Sequence, residues 1–159
     1  MTRVDADFWN FSLRLYARPQ VADLCLQLQD TYQLNVNLLL WCCWLEQQAI
    51  SLTAERLQQA HLRVDAWEQD YVLPLRALRR NLKRQFGAAD ATIETLRQQI
   101  KHAELMAEKQ MQIWLEELAA QWLVVTNPPV APGENLRCYL TSQKVPYAAI
   151  EAAIITLNL

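Results

Sequence analysis

The stretch NVNLLLWCCWLEQQ, residues 35–48, decides how the rest of the chain reads. From Val36 to Leu45 it holds ten residues, nine of them apolar, with Asn37 the exception. A membrane-spanning helix needs about 20 consecutive apolar residues, so this run is too short to cross a bilayer. Apolar nearly all round, it fits a helix enclosed by others at the centre of a bundle. Asn35 or Asn37 can cap its start by accepting a hydrogen bond from an early backbone N–H. Glu46, Gln47 and Gln48 mark where it returns toward water. At 100° per residue, Asn37, Trp41, Trp44 and Gln48 fall on one side, which combines two indoles with two amides. That side reads either as the wall of a ligand pocket, which pairs apolar surface with a few placed polar groups, or as a core face whose polar atoms satisfy one another. The core face is the commoner arrangement.

Outward from this run the pattern is helix after helix, with no period-2 alternation long enough for a strand. Asp7 or Asp5 opens a helix through about Tyr16, and Arg18-Pro19 ends it. Pro19 suits the first turn of the next helix, which runs to about Thr31. Thr53 caps a long segment reaching Phe86, where Pro74 removes a backbone donor and predicts a kink or break between Asp70 and Leu75. Gly87 closes that segment, because glycine readily takes the positive φ needed just past a helix end. Asp90 can cap the following helix, which reaches about Val124. Its apolar stripe at Leu96, Ile100, Ala103, Ala107, Met111, Trp114, Leu118 and Trp122 is the clearest amphipathic pattern in the chain. The prolines of 127–133 cannot stay helical. Beyond them, short helices are predicted near Glu134–Thr141 and from Pro146 to about Leu157.

The fold class is therefore all-α: a compact multi-helix bundle over 1–126 with a buried central helix, a Pro-rich linker at 127–133, and a two-helix C-terminal appendage at 134–159 docked on the bundle. A chain of 159 residues with 52% hydrophobic and 20% charged content supports one domain with a real core. The net charge of −2 disfavours a protein that coats nucleic acid. Met1 to Asp7 carries two acids before any apolar stretch, unlike a secretory signal, so a cytoplasmic address is expected. There Cys25, Cys42, Cys43 and Cys138 read as reduced, packed thiols, since free cysteine behaves as a small hydrophobe.

The second informative stretch is RALRRNLKR, residues 76–84. On a helix Arg76, Arg79, Arg80, Lys83 and Arg84 fall within an arc of about 140°, with Leu75, Leu78, Leu82 and Phe86 on an opposing side. Five cations without an acid repel one another, so a negative partner is expected. Glu104 and Glu108, one turn apart, can pair with Arg79 or Arg80 across an antiparallel hairpin. An acidic protein surface or a phosphate-bearing ligand is the external candidate, because guanidinium forks grip such groups bidentately. Nucleic acid is disfavoured, since one basic helix without a reader fold is a weak signal.

Catalytic signals are poor. His61 and His102 belong to no HExxH or ExxH pattern, and Glu104 with Glu108 lacks the further ligands of a carboxylate-bridged metal site. Only Gly87 and Gly133 are present, so no phosphate-cradling glycine loop is expected. Neither a metal nor another cofactor is indicated. Six tryptophans, at 9, 41, 44, 67, 114 and 122, leave room for some to face a partner.

NVNLLLWCCWL, followed by PLRALRRNLKR and then AELMAEKQ, resembles a bacterial family of small helical proteins known as a domain of unknown function. The likeness spans roughly Phe8 to Trp122, and the tail after Asn127 departs from it. The resemblance implies a small, soluble, helical bacterial protein and brings no activity or site residue with it. The leading reading is a non-catalytic interaction protein that binds an acidic partner through the Arg76, Arg79, Arg80, Lys83 and Arg84 face. The alternative is a small-molecule or lipid-like ligand held in a pocket lined by Asn37, Trp41, Trp44 and Gln48. Self-association into a homo-oligomer stays open.

Overall fold

The structure is a computed structural model describing residues 7–123 and 127–159. Asp5 and Val124, named above as helix limits, lie outside them. Among the described residues the chain forms α1 (Phe8–Tyr16), α2 (Val21–Tyr32), α3 (Val36–Gln47), α4 (Ala54–Trp67), α5 (Leu73–Phe86), α6 (Ala91–Ala120), α7 (Glu134–Ser142) and α8 (Tyr147–Leu157), with no strand. The fold is all-α.

Short polar side chains set the helix starts by accepting the first orphan N–H groups. Asp7 accepts from Trp9, Asn35 from Asn37 and Leu38, Thr53 from Arg56, and Asp90 from Thr92 and Ile93. Pro19 departs from expectation: it sits in the turn before α2, and Gln20, at φ 68°, leads into the helix. At Pro74 the interruption takes the form of a widened turn rather than an end of the helix. One π-helical turn, Glu68–Val72, joins α4 to α5, with the Leu73 N–H donating to Glu68 O five residues back. The wider turn gives the helix a way past a residue that lacks an N–H and crowds the carbonyl four positions earlier.

Every residue of α3 from Asn37 to Leu45 is buried. Trp41 packs against Trp122 with ring centroids 5.7 Å apart, and Trp44 against Phe8 at 5.5 Å. The two indole N–H groups are buried without a hydrogen-bond partner. The expected mutual satisfaction of indoles and amides is thus not made, because Asn37 turns instead to Gln112 on α6. Helices α7 and α8 contribute Leu136, Tyr139, Leu140, Ile150, Ala153, Ile154 and Leu157 to the same core. Asn135, fully buried, donates to Ile50 O and accepts from Leu52 N, both at 2.8 Å. The Tyr139 hydroxyl accepts from Asn35 N at 3.0 Å. These bonds tie the C-terminal helices to both ends of α3.

Helices α5 and α6 form an antiparallel hairpin closed at Gly87, whose φ of 60° suits a residue without Cβ. No residue from 73 to 103 is fully buried, so the hairpin leans out from the core and only the second half of α6 enters it. The opening between hairpin and bundle is the site described next.

Candidate functional site: a cleft between the hairpin and the bundle

A cleft of about 400 Å³ separates α1, α2 and α3 from α5 and α6. One wall carries Leu13 and Tyr16 of α1, Leu26 of α2, and Val36 and Leu40 of α3. Facing them stand Arg76, Arg79 and Arg80 of α5 with Lys101 and Leu105 of α6. Leu13, Tyr16, Leu26 and Leu105 are among the large apolar side chains that remain exposed, and all four border this one opening. Leaving them in water costs hydrophobic free energy that a suitable occupant would recover.

The floor is polar because α6 places Glu104, Glu108 and Gln112 one turn apart, at successive positions of one helix face. Glu104 accepts from Arg76 Nε at 3.0 Å and from two nitrogens of Arg79, the nearer at 2.5 Å. Glu108 accepts from a terminal nitrogen of Arg76 at 2.7 Å. Gln112 accepts from the Ser12 hydroxyl at 3.1 Å and donates to Asn37 Oδ1 at 2.8 Å. Burial raises the Glu104 carboxyl, but hydrogen bonds from Arg79 and Arg76 outweigh it and leave it below its ordinary value. At Glu108 burial prevails over the attraction of Arg76, so that carboxyl sits above its ordinary value.

The five cations of residues 76–84 therefore divide. Arg76 and Arg79 turn inward to carboxylates of α6, whereas Arg80 reaches across the cleft mouth to Asp30 of α2 at 3.5 Å, an exposed contact. Of the two expected partners, Arg79 or Arg80, it is Arg79 that meets Glu104, and Arg76, one turn earlier on the same flank of α5, joins it, while Arg80 turns to Asp30. Lys83 and Arg84 are exposed, and Arg84 bonds Asn81 on its own helix. Neither makes an ion pair with a carboxylate among the described residues.

Of Asn37, Trp41, Trp44 and Gln48, only Asn37 borders the cleft. Trp41 and Trp44 are consumed by the core, and Gln48 stands half-buried at the far end of α3. Sequence reading passed over Ser12, Tyr16, Lys101 and Gln112. The four-residue spacing Glu104, Glu108, Gln112 was a visible signal for the last of these.

A shallower groove between α4 and α7 holds His61, Arg137 and Cys138. His61 Nδ1 lies 3.0 Å from both oxygens of Asp65. Burial, then Glu134, push the Cys138 thiol up, opposite to the shift that activates a nucleophile. No group of three or more His, Cys, Asp or Glu able to hold a metal occurs among the described residues. No helix there is long and apolar enough to cross a membrane.

Residues 7–115 match the model of a family described as "Protein of unknown function (DUF2390)". The chain belongs to that family. Every residue lining the cleft, from Trp9 to Gln112, falls inside the DUF2390 match, whereas α7 and α8 lie beyond it. No curated protein and no solved structure matches the chain.

Proposed function

We propose that this chain is a non-catalytic binding protein whose cleft receives a ligand with an apolar body and an anionic group. The carrying observation is the convergence of four exposed apolar side chains and four cations, Arg76, Arg79, Arg80 and Lys101, on one cavity that holds only two carboxylates. At about 400 Å³ the cavity falls in the range of small-molecule sites, roughly 300–1,000 Å³. The internal pairing of Arg76 and Arg79 weighs against a basic face awaiting a flat acidic surface. Four free thiols, three of them buried, accord with a reducing compartment such as the cytoplasm.

Native mass spectrometry of protein purified gently from its own source tests the reading. A small-molecule adduct is expected on the natural chain and not on Leu105→Trp, which fills the cleft from an exposed position. An adduct that persists unchanged in Leu105→Trp would sink the proposal.

A second reading rests on Arg80, Lys83 and Arg84, whose exposed charges have weak or no carboxylate partners. They suit contact with an acidic protein surface, whose strength would fall with salt. Reversing Lys83 and Arg84 to Glu should then remove a salt-sensitive partner from a pull-down; an unchanged partner set would discard this reading.

A further inference from the structure

The hydrogen-bond chain on the cleft floor runs from Ser12 to Gln112 to Asn37 and stops there. Asn37 is 7% exposed and borders the cavity, yet its Nδ2 donates to nothing among the described residues. That nitrogen opens onto the cavity rather than being sealed in the core, where Trp41 Nε1 and Trp44 Nε1 are the buried side-chain atoms left without a partner among the described residues, so it is free to donate to an occupant of the cleft. Arg76 repeats the pattern. Its Nε serves Glu104 and one terminal nitrogen serves Glu108, while the other terminal nitrogen has no acceptor, in a side chain only 12% exposed. Both donors belong to residues lining the one cavity, and their partners, Gln112 for Asn37 and Glu108 for Arg76, stand four residues or about 6 Å apart along α6.

We infer that the cleft floor is a carboxylate subsite, in which Asn37 Nδ2 and the free terminal nitrogen of Arg76 each donate to one oxygen of an aliphatic monocarboxylate. This deepens the proposed function and rests on it. Two donors match the two oxygens of a carboxylate, and a guanidinium bond to an ionised oxygen is among the stronger hydrogen bonds. A phosphate dianion fits less well, because Glu104 and Glu108 flank the position and repel a second charge. The apolar body of the ligand runs outward over Leu13, Tyr16, Leu26 and Leu105. At about 30 Å³ per heavy-atom group, comparable to a water's share of volume, the cavity of about 400 Å³ holds roughly thirteen groups, enough for the ten carbons and two oxygens of decanoate.

Isothermal titration with decanoate, 1-decanol and decyl phosphate tests this on the unaltered protein. Decanoate should bind with one site per chain, at least about tenfold more tightly than decanol, the increment that one charge-assisted bond supplies. Asn37→Leu should reduce the ratio of decanoate to decanol affinity, the Arg76 bond sustaining the remainder, and Leu105→Trp should abolish binding of all three. Equal affinity for decanoate and decanol would overturn the subsite, and so would a preference for decyl phosphate. If no probe binds while the natural chain still carries an adduct that Leu105→Trp removes, the carboxylate assignment falls and the cleft reading stands. Absence of that adduct as well would remove both.

Discussion

Replacing Glu104 by Gln is the perturbation that the cleft geometry makes most informative. Glu104 is 6% exposed and accepts one bond from Arg76 and two from Arg79. The amide keeps the shape but presents an NH₂ to a guanidinium that is itself only a donor, so at least one contact becomes donor against donor. Removing one partner of a buried pair typically costs about 3–5 kcal/mol. Arg76 keeps Glu108, and the Arg79 side chain is 22% exposed, so the lower end applies, about 3 kcal/mol. For a chain of this size, at about 2–4 °C per kcal/mol, the melting temperature should fall by about 6–12 °C. A double-mutant cycle with Arg79→Leu should return a coupling of about 1.5–3 kcal/mol. A melting temperature within about 2 °C of the natural chain would refute the reasoning, since it would put the pair in the class of exposed ion pairs, worth about 0–1 kcal/mol.

Three further outcomes follow from particular contacts. Glu108 has a raised carboxyl pKa, so its share of stability is present at acid pH and is lost as pH rises through the folded value, above the ordinary 4.5. The melting temperature of the natural chain relative to Glu108→Gln should accordingly decline between pH 4 and pH 7, and a rise would contradict the shift. Asn135→Ala leaves the Leu52 N–H and Ile50 carbonyl unpaired in the core, and should cost about 2–4 kcal/mol in urea denaturation. In a thiol-reactivity assay on native protein, Cys25, Cys42 and Cys43 should stay silent while half-buried Cys138 reacts; for Cys25, burial raises the thiol to about 12.

The helix framework was legible because its punctuation is local. Asp7, Asn35, Thr53 and Asp90 cap in the structure as their side chains dictate, and the all-apolar run from Leu38 to Leu45 could only be central. Pro74 was legible as an interruption, but not its form, because a missing N–H marks where the helical ladder is disturbed and not whether the helix ends there or widens by one residue. The ion pairs were legible in kind from Glu104, Glu108 and the arginine series. Their partners were not, since hairpin register fixes whether Arg76 or Arg80 faces inward. The cleft was hidden for a different reason: it exists because α5 and α6 lean away from α1 to α3, and no single helix encodes that angle. Asn37 carried the same residue name in either environment, and only the position of Gln112 shows that it looks into an opening rather than toward Trp41 and Trp44.

The central claim, that Asn37 presents a vacant donor to a carboxylate-sized position, is tested most directly by nuclear magnetic resonance of the side-chain amides. With ¹⁵N-labelled protein and the Asn37→Leu variant for assignment, decanoate is titrated while the Asn37 and Gln112 NH₂ signals are followed. The account expects both to move in saturable fashion, Asn37 furthest, while the NH₂ of Asn135 in the opposite part of the core stays fixed. Decanoate binding that leaves the Asn37 signal in place would contradict it.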